Sequence, residues 1–197
     1  MLTLDRVTFA YGDNTILSDA SLTLPKRGAV CFTAPSGGGK TTLLRLFAGL
    51  ETPQSGRVLC DAQRIALVFQ EHRLLPWLTV RQNVEVACPD TDVMPFLEAV
   101  ELDDVADSYP AKLSGGMQRR VAIARALAFG GDLLLLDEPF SGLDDALKAR
   151  VATAISQRFH DALIVLISHD PEDAALLDAT VLPLTFPLQG QLESTVV

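Results

Sequence analysis

The sequence predicts an α/β fold in which a mostly parallel sheet is covered by helices, with a small antiparallel β subdomain and an inserted helical subdomain beside it. Three observations carry this. Residues 29–33 are a short apolar run that enters the glycines Gly37, Gly38 and Gly39 and then an apolar helical stretch from Lys40 with Leu43, Leu44, Leu46 and Phe47. Residues 133–136 are four consecutive leucines, which suits a strand buried on both faces. The last third of the chain alternates strand-like and helix-like segments, as a parallel sheet covered by helices requires.

In chain order, residues 2–9 place Leu2, Leu4, Val7 and Phe9 in near alternation, and the turn residues Gly12, Asp13 and Asn14 lead to a second extended stretch at 16–24, an antiparallel hairpin pattern. Two further short extended segments, 57–59 and 65–69, are expected to complete the small sheet. From 71 to 131 the periodicity is helical, with breaks at Pro76, Pro89, Pro95 and Pro110. Met94, Leu97, Val100 and Leu102 form one apolar face and Met117, Val121, Ala124 and Leu127 another, while Glu101, Asp103, Asp104 and Asp107 read as a solvated surface. After the leucine strand come a helix over about 146–159, a strand at 163–167, and a helix opened by Asp170 as cap with Pro171 at its first position. The expected organisation is one domain of 197 residues: 1–70 and 132–197 form the core with its β subdomain, and 71–131 the helical insert.

Composition excludes several classes. Hydrophobic residues make up 48% of the chain, which argues against disorder, and the net charge of −9 lacks the basic footprint of a nucleic-acid binder. No apolar run approaches the ~20 residues of a spanning helix, and the start MLTLDRVTF has no signal-peptide pattern, so a soluble or peripheral intracellular protein is expected. Cys31, Cys60 and Cys88 have neither metal-ligand spacing nor an even count for disulfides.

The chemistry concentrates in two places. The string APSGGGKTT, residues 34–42, is a phosphate-binding loop: glycines let the backbone amides converge, and the following helix adds its positive N-terminal end. Pro35, Ser36, Gly37, Gly38, Gly39, Lys40, Thr41 and Thr42 form the cradle, with Lys40 on the β and γ phosphates and the Thr41 hydroxyl on Mg²⁺. Ala34 stands where the common pattern has glycine. Alanine costs nothing there if φ is negative, and the alternative is a strained loop that binds phosphate less well. The second place is the end of the leucine strand, where Asp137 is expected to hold Mg²⁺ and Glu138 to orient and polarise an attacking water.

The order of APSGGGKTT, Gln70, LSGGMQRR, LLLLDEP, SGLD and ISHD resembles the nucleotide-binding subunit of an ATP-binding-cassette transporter over essentially the whole chain. The resemblance implies a P-loop NTPase core, ATP and Mg²⁺ as ligands, and ATP hydrolysis coupled to transport. It implies that Tyr11 stacks on adenine, that Gln70 senses the γ-phosphate and the metal, and that His169 contacts the γ-phosphate. Ser114, Gly115 and Gly116 would cap the γ-phosphate bound to the opposite protomer of a homodimer, and Asp144 would cross that interface. Physical chemistry supports these unequally. Free amides at the start of a helix after Ser114 suit an anion, whereas Tyr11 could equally be an ordinary sheet aromatic. The string EHRLLPWLTVRQNV, residues 71–84, is similar to importers of nitrate, sulfonates, taurine or thiamine precursors. It implies a permease docked there, a solute-binding protein in the same system, and a peripheral place on the cytoplasmic face of the membrane. Trp77 belongs either to that docking surface or to the core. Two alternatives keep the same nucleotide site: a soluble, non-transport cassette ATPase, or a nucleotide-binding regulator with little turnover.

Overall fold

The computed structural model describes residues 1–33 and 39–192. In the N-terminal hairpin β1 (Leu2–Tyr11) pairs antiparallel with β2 (Asn14–Leu24), from Leu2 opposite Leu24 to Tyr11 opposite Asn14. Gly12, at φ +56°, supplies the left-handed residue that so tight a loop needs. A third group of strands and one helix follow: β3 (Gly28–Thr33), α1 (Lys40–Phe47), β4 (Ser55–Cys60) and β5 (Ile65–Val68). The helical insert holds α2 (Val80–Glu85), α3 (Met94–Ala99) and α4 (Gly115–Phe129). The chain then alternates β6 (Leu133–Asp137), α5 (Asp145–Arg158), β7 (Leu163–Ile167), α6 (Pro171–Leu176), β8 (Thr180–Pro183) and β9 (Leu188–Leu192).

Five of these strands form an all-parallel sheet in the order β5-β6-β7-β3-β8. The other sheet has the order β4-β1-β2-β9. Two expectations are corrected here. The segment 65–69 does not join the small sheet but becomes the edge strand of the parallel one, because the Asp132 carboxylate accepts hydrogen bonds from the amides of Gln63 (2.9 Å) and Arg64 (2.8 Å) and so seats Ile65 opposite Leu133. The small sheet is also not purely antiparallel, since β9 runs parallel to β2.

Two hydrophobic cores lie on either side of the parallel sheet. Leu133 and Leu135 of β6 point into the core shared with the hairpin and α1, while Leu134 and Leu136 point into the one shared with the helical insert and α5. All four are 0–1% exposed, which explains a strand with no polar alternation. Each fully buried leucine contributes about 1.5–3 kcal/mol of transfer free energy. Val30 and Phe32 of β3 follow the same division against Cys31.

In the insert, Leu97, Val100 and Leu102 are fully buried as the helical face predicted, and the Arg120 Nη1 donates to the carbonyls of Val100 (2.7 Å) and Glu101 (2.9 Å). Asn83, 1% exposed, accepts from the Leu75 amide at 2.8 Å and donates to the carbonyls of Leu75, Leu78 and Thr79. This fixes the turn that carries Trp77, which is 68% exposed and therefore no core anchor. Among the described residues no helix is long and apolar enough to cross a membrane.

Candidate active site

The carboxyl ends of β5, β6, β7 and β3 lie side by side, so the residues that follow each strand are brought to one edge. Gln70 follows β5, Asp137 and Glu138 end β6, His169 follows β7, and the phosphate loop follows β3. Of that loop, Ala34, Pro35, Ser36, Gly37 and Gly38 lie outside the described residues. Gly39 caps α1 at φ +90°, and a Cβ there would stand 2.4 Å from Ile16 Cγ2. Both conformation and space require glycine, and the hairpin thereby presses directly on the cradle.

Tyr11, Asn14, Ile16, Gly39, Lys40, Thr41, Thr42, Gln70, Asp137 and Glu138 surround one cavity of about 330 Å³. Every predicted residue of the chain's own nucleotide site that is described here lines it, apart from His169. Asn14 and Ile16 were not anticipated, having no polar signature that separates them from ordinary hairpin residues. The Tyr11 hydroxyl donates to Glu51 Oε1 at 3.0 Å and its ring stands edge-on to Phe9 at 5.0 Å, which leaves the side chain held yet 44% exposed.

The Thr41 hydroxyl donates to Asp137 Oδ2 at 2.7 Å. Asp137 is only 3% exposed, and burial raises its carboxyl above the ordinary range against the Thr41 hydrogen bond and the charges of Lys40 and Arg119. Two hard oxygen donors facing each other beside a lysine are a donor set that would suit a magnesium ion.

Glu138 adopts φ +52°, a left-handed conformation that costs a residue with a side chain about 1–3 kcal/mol. Its surroundings enforce it. The Glu138 amide donates to the Ile167 carbonyl at 3.0 Å, its carbonyl accepts from Arg119 Nη1 at 2.5 Å, and its Oε2 lies 2.8 Å from His169 Nδ1. A carboxylate only accepts, so that contact places the proton on Nδ1. The segment bearing His169 is anchored to α5 by a polar network: Lys148 Nζ bonds Asp170 Oδ2 and Asp173 Oδ1 at 3.1 Å each, and Ser168 Oγ donates to Asp173 Oδ2 at 2.6 Å. Those two carboxylates, Asp173 foremost, raise the Lys148 ammonium above its usual value. Neither Lys148 nor Arg119 stands out by spacing, because their partners lie in other elements.

Ser114, Gly115, Gly116 and Asp144 do not line the cavity. Ser114 caps α4, its hydroxyl accepting from the Met117 amide at 3.3 Å, so the helix starts at Gly115. Asp144 caps α5, accepting from the Leu147 amide at 3.0 Å. A Cβ at Gly116 would stand 3.2 Å from the Gly142 carbonyl, so the two caps belong to neighbouring loops. Ser114, Gly115 and Asp144 are all exposed.

The buried carboxylate yields a prediction with a definite sign. Folding raises the Asp137 pKa, so wild type loses stability as pH rises from the unfolded value through the raised one, and the full penalty remains above it. Asp137→Asn keeps an acceptor for Thr41 and removes that penalty. In EDTA its melting midpoint should exceed wild type by a few degrees at about pH 8 and converge at about pH 4, while Mg²⁺-dependent nucleotide turnover is lost. An unchanged or lower midpoint at the higher pH would contradict the assignment.

The ABC transporter family model matches residues 17–141. An aliphatic sulfonates import ATP-binding protein, SsuB 2 of Burkholderia cenocepacia, is 41% identical over 94% of this chain and 74% of its own length. A nitrate import ATP-binding protein, NrtD of a Synechocystis species, is 43% identical over 79% of this chain and 65% of its own. In structure, the ATP-binding cassette MJ0796, solved as a dimer in a post-hydrolysis state with ADP and Pi, superposes with a TM-score of 0.85 at 27% identity, covering 96% of both chains. With a match over more than half its length and relatives above 40% identity, the chain belongs to the ABC transporter family.

Proposed function

We propose that this chain hydrolyses ATP to drive a small-solute importer, working as a dimer whose two ATP sites are each shared between chains, on the cytoplasmic face of the membrane. The observation that carries the reading is the single cavity joining Tyr11, Lys40, Thr41, Gln70, Asp137 and Glu138. Sulfonate and nitrate importers among the relatives favour import of a small solute.

In this reading adenine stacks on the open side of Tyr11, and the triphosphate lies against Lys40 and the start of α1. Thr41 and Asp137, with Gln70 beside them, would hold Mg²⁺, which neutralises charge on the phosphate oxygens. Glu138 accepts a hydrogen bond from the attacking water and takes up its proton as the bond from the water oxygen to the γ-phosphorus forms and the β–γ bridging P–O bond breaks, with ADP leaving. His169 steadies that carboxylate through Nδ1–H, and its exposed ring would contact the γ-phosphate. A second chain supplies Ser114, Gly115, Gly116 and Asp144, which in one chain are turned away from its own cavity. Their exposed loops, each at a helix N-terminus, suit an anion and a partner surface.

The permease docks on residues 71–84, with a solute-binding protein completing the system. Support comes from Trp77, exposed on a turn that Asn83 holds rigid, since an ordered exposed aromatic is a common interface anchor.

Glu138→Gln should bind MgATP within a few-fold of wild type while turnover falls at least ~100-fold; wild-type turnover would remove Glu138 from the chemistry. For the shared site, specific activity should rise with protein concentration. Lys40→Ala and Ser114→Arg chains, each inactive alone, should recover turnover when mixed, because one composite site per mixed dimer is intact. Concentration-independent activity from a monomer would refute it. Trp77→Ala should leave soluble turnover and melting unchanged yet weaken co-purification with co-expressed membrane subunits. Undiminished capture would move docking elsewhere.

A further inference from the structure

We infer that Arg119 is a positioning residue, which holds Glu138 in its left-handed backbone conformation and ties that carboxylate to the helix that begins at Ser114. The inference rests on the reading of Glu138 as the base.

Three contacts of 3.0 Å or less keep Glu138 in place, and they differ in origin. The amide bond to Ile167 extends the β6–β7 ladder, and the His169 contact engages the side chain. Only Arg119, by its 2.5 Å bond to the Glu138 carbonyl, brings in the helical insert. A residue at φ +52° has its carbonyl turned out of the line of the strand, where no neighbouring strand can receive it. Besides Arg119 the Ser141 amide reaches that carbonyl, at 3.4 Å, a much weaker contact. The guanidinium is half-buried, and its charge faces the carboxylates of both Glu138 and Asp137. It therefore orients the backbone of Glu138 from the helical insert.

Arg119 lies five residues from Ser114 along α4, a rise of about 7.5 Å. A helix is stiff over that distance. The same element further donates from Arg125 to the carbonyls of His72 and Arg73, just beyond Gln70. Any shift of the α4 start, where a partner's nucleotide is proposed to bind, is thereby delivered to the Glu138 carbonyl. One helix thus links the site on the partner chain to the base of this one.

The test compares Arg119→Met, which keeps length and loses both charge and N–H, with Arg119→Lys, which keeps a charged donor. ATP turnover, KM and melting are measured for both, and single-turnover hydrolysis is measured with each combined with Glu138→Gln. We expect Arg119→Met to lower kcat about tenfold or more with KM within about twofold, and Arg119→Lys to recover part of the loss. In the Glu138→Gln background Arg119→Met should add no further loss, since it acts through the missing group. The inference is overturned if Arg119→Met turns over within about twofold of wild type, if its loss is undiminished in the Glu138→Gln background, or if kcat falls only in step with a lower melting midpoint. Should the methionine chain fail to fold, the lysine chain is read against the same criteria. Wild-type turnover by Glu138→Gln alone would instead sink the reading beneath it, whatever Arg119 does.

Discussion

Strands buried on both faces set the position of everything at the nucleotide site. In β6 the leucines divide between two cores, and the strand pairs with β7 up to Asp137 opposite Ile167. A one-residue slip would either draw Glu138 into the sheet or leave Leu136 at the cavity. Burying a second carboxylate without partners costs several times what a leucine contact returns. The register therefore decides that Asp137 is the last residue inside and Glu138 the first outside, and their different environments follow.

Two buried carboxylates show how partners separate structure from chemistry. Asp173, 3% exposed, is met by the Lys148 ammonium and the Ser168 hydroxyl, so its charge is compensated and the segment after β7 is locked to α5. Asp137 is equally buried, yet Thr41 occupies one of about four lone-pair positions on its oxygens. The first arrangement stabilises the nucleotide-free protein. The second leaves a desolvated carboxylate beside a hydroxyl and a lysine, which costs stability and would be relieved by the cation and phosphates proposed to bind there. Such local cost at a working site is a common trade of stability for function.

The cavity and the exposed caps occupy separate surfaces of one chain. Ser114 and Asp144 each begin a helix, and Gly116 lies against the Gly142 carbonyl, so the two loops are packed against each other. The glycine there has a packing reason independent of any ligand. Lys148 sits one turn beyond Asp144 on α5 and reaches the segment of His169, which connects this second surface to the cavity through a second helix. Both helices that start at the exposed face thus make contacts with Glu138 or with the segment just after its histidine.

Sequence by itself determined the parallel core, the hairpin and the candidate residues of the nucleotide site. The phosphate loop, the leucine strand with its two carboxylates and the helix opened by Asp170 and Pro171 are local patterns, in which neighbours along the chain supply the physical reason. By resemblance it also separates two sets of candidate residues, of which the structure gathers most of the first around one cavity and keeps Ser114, Gly115, Gly116 and Asp144 outside it, although no local property of Ser114 says which way it faces. Tertiary structure alone decided the rest. Residues 65–69 and 57–59 look alike as short extended runs, and the Asp132 carboxylate, distant in sequence, sends the first to the parallel sheet. Residues 188–192 pair with β2 across the whole chain, so no local pattern shows that pairing. Trp77 carries the same adjacent leucines whether buried or exposed, and the turn held by Asn83 puts it outside. Arg119 and Lys148 are ordinary helical cations until Glu138 and Asp173 are brought beside them, because a long-range hydrogen bond leaves no periodicity in the chain that makes it.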